Sequence, residues 1–270
     1  MGEIITSLQN YKVKQAVKLR EAKGRKETGL MIIEGRKELS LALMGSVKIE
    51  HVFYCSDFDV KKTGVSGVIK EDKIIFVSKN IFQKISYREH PDGVLAIGKI
   101  NSVGLEKIEL KKNSLIIVLE AVEKPGNLGA ILRSADAAGA DAVIICDGKT
   151  DIYNPNVIRA SLGTVFTNKV VAEESAETIE WLKKNNIKIF ATAPGAKKFY
   201  TAIKFSSSAA IVMGTEAAGL SKEWLEAADE KIKIPMAGRI DSLNVSVSLA
   251  IVLFEAVRQR GEIVESTEID

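Results

Sequence analysis

The sequence predicts a two-part α/β protein, a small α/β front segment followed by a larger parallel sheet with helices on both faces. Three observations carry that expectation. From Ser114 onward, short and fully apolar runs alternate with helical patterns, which is how strands buried on both faces of a parallel sheet read. Before it, residues 1 to 105 hold shorter elements of both kinds and most of the basic excess. Between the two, Asn101–Asn113 (NSVGLEKIELKKN) is polar, charged and without periodicity, as a linker would be. The division that follows is 1–105, a linker at 106–113, and 114–270.

In the front segment, Tyr11–Lys23 places Val13, Ala16 and Val17 at helical spacing beneath a lysine and arginine face. Gly24–Gly29 is bounded by glycines and is expected to be a loop before a strand at Leu30–Glu34. A helix at Gly35–Met44 is followed by strands at Glu50–Cys55 and Lys73–Val77. Ser78 is a plausible N-cap for a short helix ending at Ile85, and Gly93–Ile100 closes the segment as a strand. In the second part, strands are expected at Leu115–Leu119, Ala142–Cys146, Lys169–Ala172, Lys188–Thr192, Ala209–Met213 and Lys231–Ile234. Helices fall at Leu128–Ala138, Pro155–Leu162, Ala176–Lys184, Ser221–Ala227 and about Ser242–Arg260.

Composition excludes several classes. With 46% hydrophobic residues over 270 positions the chain can bury an ordinary core. It has no apolar run of the ~18 residues a membrane span needs, and no apolar signal region at its N-terminus, so a cytoplasmic location is expected. Cys55 and Cys146 stand far apart without nearby histidines, which points to two buried thiols and no metal site. Charge is uneven: residues 1 to 105 carry 18 Lys/Arg against 12 Asp/Glu, and the remainder 20 against 23. A front end that attracts polyanions is joined to a near-neutral back end. Its candidate phosphate contacts are Lys14, Lys18, Arg20, Arg25, Lys26 and Arg36, with a solvated surface face as the alternative.

The chemistry gathers around the run Ala209–Met213, which empties into Gly214-Thr215-Glu216-Ala217-Ala218-Gly219-Leu220-Ser221. The glycine spacing imitates a nucleotide phosphate loop, but Leu220 stands where the lysine should be and Glu216 would repel phosphate. No G-x-G-x-x-G follows a strand, which disfavours a dinucleotide fold. A carboxylate among small residues suits hydroxyls, amines or a cationic ligand. Two further stretches, Asn127–Gly139 and Ile234–Ser248, have the same mixture of glycine, small and amide residues beside strand-like runs.

Glu123–Gly139, Ile211–Ser221 and Ile234–Ser248 resemble, in order, the three motifs of the SpoU/TrmH family of RNA 2′-O-ribose methyltransferases in the SPOUT superfamily. Ser7–Asn10 and Ile33–Gly35 are similar to the ribosomal-protein-like RNA-binding domain that many members carry in front. The resemblance implies a deep trefoil knot in the C-terminal sheet, a homodimer formed through that domain, and S-adenosylmethionine as cofactor. It implies a cofactor site at Thr192, Ala193, Met213, Gly214, Gly219, Ile234, Met236, Leu243 and Ser246. It places Arg133 in the active site. A permanently charged guanidinium suits holding the target phosphate and stabilising charge on the 2′-oxygen, with Asn127 and Glu216 expected to fix Arg133 and the ribose and Ser242 and Asn244 to complete the polar wall. Asn127 has the plain alternative of a helix N-cap. Asn156–Phe166 resembles the family stretch near the dimer interface, which makes Arg159 and Ser161 candidates to act in trans. The implied substrate is RNA, ribosomal before transfer RNA. The alternatives are a methyltransferase with another acceptor and a non-catalytic RNA-binding or ribosome-assembly protein of the same fold.

Overall fold

The computed structural model describes residues 4–58 and 69–261. In chain order the elements are α1 (Tyr11–Lys18), α2 (Ala22–Thr28), β1 (Leu30–Glu34), α3 (Arg36–Met44), β2 (Ile49–Tyr54), β3 (Ile74–Phe76), α4 (Lys79–Ile85) and β4 (Val94–Lys99). They continue with β5 (Leu115–Glu120), α5 (Pro125–Ala137), β6 (Ala142–Cys146), α6 (Pro155–Ala160), β7 (Val170–Glu173), α7 (Ser175–Lys184) and β8 (Lys188–Thr192). The chain closes with β9 (Lys198–Phe199), β10 (Ala209–Met213), α8 (Lys222–Ala227), β11 (Glu230–Lys233) and α9 (Val245–Arg260).

Two compact units result. The first joins Met1–Ser102 to the excursion Asp151–Thr167; the second holds Val103–Thr150 and Asn168–Asp270. Leu105 and Ile108, from the polar connecting stretch, are buried in the core of the second unit.

The first unit is built on a four-stranded sheet in the order β1-β4-β2-β3, antiparallel except for the β2–β3 pair. Val13, Ala16 and Leu19 from the α1 end and Phe82 of α4 share a core with Phe53, Leu95 and Ile97 of its strands. The expected loop at Gly24–Gly29 is instead α2, and its glycines serve the helix. A Cβ on Gly24 would stand 2.2 Å from the Lys18 carbonyl oxygen, so only glycine lets α2 lie against the end of α1. Gly29, at φ 65°, is the left-handed C-cap.

His51, on β2, is buried with no hydrogen-bond partner for its Nε2 among the described residues. Burial first, and then the charge of Lys12, lower its pKa from 6.5 to about 4, with Glu50 acting weakly the other way. The folded state therefore resists a proton that the unfolded chain accepts. Stability is expected to fall as pH drops below 6.5 and to level off below about 4, with a loss of about 2 kcal/mol by pH 5 from this group. Chemical-denaturation midpoints at pH 7.5 and pH 5 check it: His51→Phe should lose less on acidification than the native chain, and an equal loss would rule the mechanism out.

The second unit is a seven-stranded sheet, β7-β6-β5-β10-β8-β11-β9, parallel at every pairing. Its central strands β5, β6 and β10 are buried at every position, which is why they read as unbroken apolar runs. Leu128, Ile131, Leu132 and Ala135 form the buried stripe of α5, and Val245, Leu249, Val252 and Ala256 that of α9. Chain direction reverses in the strand order at β5, with β6 and β7 on one side and β10 and β8 on the other. In an open parallel sheet such a switch leaves a crevice at the carboxyl ends of the strands.

Candidate active site

At the carboxyl ends of β8, β10 and β11, on the β10 side of that switch, lies a cavity of about 320 Å³. Thr192 at the end of β8 with Ala193 and Pro194 beyond it, Met213 at the end of β10 with the loop to Gly219, and Ile232 and Lys233 of β11 with Ile234 and Met236 beyond form three of its walls. Ser242, Leu243, Val245, Ser248 and Val252 form the fourth. The loop after β10 is pinched shut by reciprocal backbone bonds between Thr215 and Gly219 at 3.0 and 3.1 Å. A Cβ at Gly214 would lie 2.3 Å from the Gly219 carbonyl, so glycine is required for that closure. Thr192 donates its hydroxyl to the Val212 carbonyl at 2.8 Å, which ties the β8 loop to β10.

Three motif residues meet at the rim. Asn127 Nδ2 donates to Glu216 Oε1 at 3.0 Å, and Asn244 Nδ2 donates to the same oxygen at 2.7 Å and to Asn127 Oδ1 at 3.0 Å. Lys124 Nζ donates to Glu216 Oε2 at 2.6 Å. Lys124 foremost, and then Asn127, hold the Glu216 carboxyl below the usual carboxylate range. The N-cap alternative for Asn127 falls, because Pro125 starts α5 earlier than expected and Lys124 occupies the cap position. Asn244 is itself the cap of α9, accepting from Ser246 N at 3.1 Å, so one amide fixes both the helix start and the carboxylate.

Of the other expected site residues, Thr192, Ala193, Met213, Gly214, Gly219, Ile234, Met236, Leu243 and Ser242 line the cavity. Ser246 does not; its hydroxyl turns back to Asn244 Oδ1 at 2.6 Å. Arg133 is exposed on α5 and outside the cavity wall, six residues past Asn127, or about 9 Å along the helix and a third of a turn away in direction. Among the described residues nothing bonds its guanidinium, so Asn127 and Glu216, which bond each other, do not fix it as expected. Sequence reading missed Lys124 as the partner of Glu216, and Pro194, Ile232 and Val252 as wall residues. Pro194 and Ile232 stand next to recognised stretches and Val252 lies one helical turn past Ser248, whereas nothing in spacing marks Lys124.

The first unit corrects two assignments. Arg25 is 2% exposed and does not face solvent. Its Nε pairs with Asp151 at 2.6 Å, and Nη1 donates to the carbonyls of Leu19 and Arg20 at 2.7 and 2.9 Å. It is a structural tie, too deeply buried to meet a phosphate. Ser161 is fully buried and donates to the Ile158 carbonyl at 3.0 Å, which removes it as a group acting in trans, while Arg159 is exposed. Lys14 and Lys26 are exposed, Lys18 pairs with Glu27 at the surface, and Arg20 lies over the Tyr87 ring at 5.6 Å. Arg36 is half-buried beside Asp92. Cys55 and Cys146 are both buried thiols, as expected. Among the described residues no group of side chains could hold a metal ion.

A parallel α/β sheet with a glycine-pinched, apolar-walled crevice and an amide–carboxylate cluster at its rim has the form of a small-ligand binding site. The chain belongs to the SpoU rRNA methylase family, which residues 114–254 match; residues 10–96 match the MRM3-like substrate binding domain. A 23S rRNA (guanosine(2553)-2′-O)-methyltransferase of Bacillus subtilis is 31% identical over 93% of this chain and 97% of its own. A solved RNA 2′-O ribose methyltransferase superposes with a TM-score of 0.85 at 38% identity, covering 96% of this chain and 99% of the other. An AdoMet-bound rRNA methyltransferase from Sinorhizobium meliloti superposes with a TM-score of 0.86 at 32% identity, covering 95% and 97%.

Proposed function

We propose that this protein transfers a methyl group from S-adenosylmethionine to a ribose 2′-hydroxyl of ribosomal RNA. The observation that carries it is the meeting of Asn127, Glu216 and Asn244, from three separate stretches, at the rim of the cavity. A protein that only bound RNA would have no need of such a cluster beside a ligand-sized crevice.

The cavity suits the cofactor. Ile232, Ile234, Met236, Leu243 and Val252 supply apolar walls for an adenine ring, and the close backbone at Gly214 and Gly219 supplies main-chain edges. Glu216 and Asp241 add negative charge suited to a cationic ligand. When bound, S-adenosylmethionine supplies an electrophilic methyl group on a positively charged sulfur. The protein's part is to hold the ribose oxygen in line and dry, which is where most of the rate arises in such a displacement. Asn127, Glu216, Ser242 and Asn244 orient the sugar. Arg133, exposed and without a partner among the described residues, holds the target phosphate and offsets charge as the 2′-oxygen gives up its proton to solvent water.

Lys14, Lys18, Lys26 and Arg20 draw the RNA to the first unit. The protein acts in the cytoplasm, and its C-terminal domain carries the trefoil knot. It works as a homodimer: Val247, Ile251 and Phe254 make an open apolar stripe along α9, with Val247 47% and Phe254 46% exposed, and a second copy would cover it. Arg159 is retained as a group that could serve the partner copy.

Incubation with methyl-labelled cofactor and bulk RNA, followed by mapping of the labelled nucleotide, tests the function. Label on a ribose 2′-oxygen of ribosomal RNA is expected. Label on a base or on transfer RNA would replace the acceptor, and no label with retained RNA binding would leave a binding protein.

A further inference from the structure

Lys124 belongs to no role assigned so far. It is the cap residue of α5, yet its side chain makes no capping bond. The ammonium instead crosses to Glu216 Oε2 at 2.6 Å, while Oε1 takes the amides of Asn127 and Asn244. Each carboxylate oxygen therefore has its own donors, and the plane of the carboxylate is fixed.

We propose that Lys124 is a positioning residue for methyl transfer, pinning Oε2 of Glu216 so that its carboxylate and the two amides hold one geometry against the ribose. This rests on Glu216 being part of the catalytic wall. Glu216 hangs from a loop of small residues, Thr215 and Ala217 to Gly219, which offer its side chain no packing partner of any size. Without the ammonium, the two neutral amides and the Val245 backbone N–H would be left to orient a flexible side chain. Charge-assisted bonds are the stronger kind, and this one is short. The effect is mutual: Glu216 raises the pKa of Lys124 above its ordinary value, chiefly through the same hydrogen bond.

The pair is not a folding device. Lys124 is 70% exposed on its side chain, and exposed ion pairs contribute little to stability. A lysine on that rim could instead meet the RNA phosphate directly, and the two roles differ in what they couple to. A lysine acting through Glu216 matters only while Glu216 carries its charge; one acting on phosphate matters whatever stands at 216.

The test uses the full chain, labelled S-adenosylmethionine and deproteinised ribosomal RNA as the probe. Single-turnover rates at saturating RNA are measured, with RNA and cofactor affinities, for the native chain, Lys124→Met, Lys124→Arg, Glu216→Gln and Lys124→Met/Glu216→Gln. Lys124→Met is expected to slow transfer by about 10- to 100-fold, the scale of a misplaced reacting group. Both affinities should stay within about twofold of native, and Lys124→Arg should recover most of the rate. In the Glu216→Gln background the lysine change should add nothing further. Lost RNA affinity with an unchanged saturated rate, or equal slowing in both backgrounds, would overturn the proposal. So would an unimpaired Glu216→Gln in a chain that methylates. A native chain that transfers no methyl group at all would instead overturn the function itself, and this inference with it.

Discussion

Replacing Arg133 with alanine is expected to lower single-turnover methyl transfer by about 100- to 1000-fold, the range for removing one preorganised charge-stabilising donor. Affinity for S-adenosylmethionine should stay near the native value, because Arg133 lies outside the cavity that would hold it. A guanidinium keeps its proton at any pH at which RNA survives, which makes it a poor general base. Arg133 is exposed on its helix face. A permanently charged fork on an open helix face is suited to a phosphate oxygen and to negative charge growing on the neighbouring 2′-oxygen. Arg133→Lys keeps the charge and loses the fork, and should retain an intermediate rate. Equal loss of cofactor binding and methyl transfer in Arg133→Ala would end the catalytic assignment. Since Asn127 and Arg133 point in different directions from α5, a mixture of inactive variants also bears on the dimer. If Arg133 serves the partner's site, Arg133→Ala and Glu216→Gln chains, each inactive alone, should recover part of the activity when co-assembled. No recovery would place both groups in one chain's site.

How much of this was legible in the sequence follows from what each feature depends on. Strands β6, β8 and β10 could be read to the residue, because a strand covered on both faces is simply an apolar run with polar ends. Strand β9 could not: two exposed residues, Lys198 and Phe199, have no period. The helix α2 reads as a loop because glycines at both ends suggest one. Gly24 is there for the approach of α1, a tertiary cause invisible to local propensity. In the site, eight of the nine expected cofactor residues line the cavity, since glycines and small residues beside strand ends mark close backbone approach. Lys124 escapes notice because a long side chain reaches across 92 positions without altering any pattern near it. Ser246 and Ser161 show the reverse limit: a hydroxyl in a motif can spend its hydrogen bond on its own helix.

Arg25 is the residue whose meaning changed most, and its replacement is expected to have the largest effect on stability. Arg25→Ala should destabilise the first unit by about 3 kcal/mol, the low end of the cost of breaking a buried ion pair from one side, because Asp151 is 29% exposed. Asp151 would keep a charge without its partner, and the carbonyls of Leu19 and Arg20 would lose their donor at the end of α1. Lysine is no substitute, since a single ammonium cannot match three acceptors reached by a rigid fork. Removing both charges as Arg25→Met/Asp151→Leu should recover part of the loss, because no charge is then stranded, although the two carbonyls stay unpaired. Thermal or denaturant unfolding of these variants measures this. A native midpoint for Arg25→Ala would show that the pair carries no weight. The surface cations behave oppositely. Lys14→Ala and Lys26→Ala should leave the midpoint within about 0.5 kcal/mol of native, as changes at exposed positions do. They should also weaken RNA binding and make it less sensitive to salt, by close to one unit of slope for each phosphate no longer neutralised. An RNA affinity unchanged in the lysine variants would move the RNA surface elsewhere on the protein. Weak RNA binding by Arg25→Ala would by contrast report a disrupted fold, and only the unfolding measurement separates that from the removal of a phosphate-binding cation.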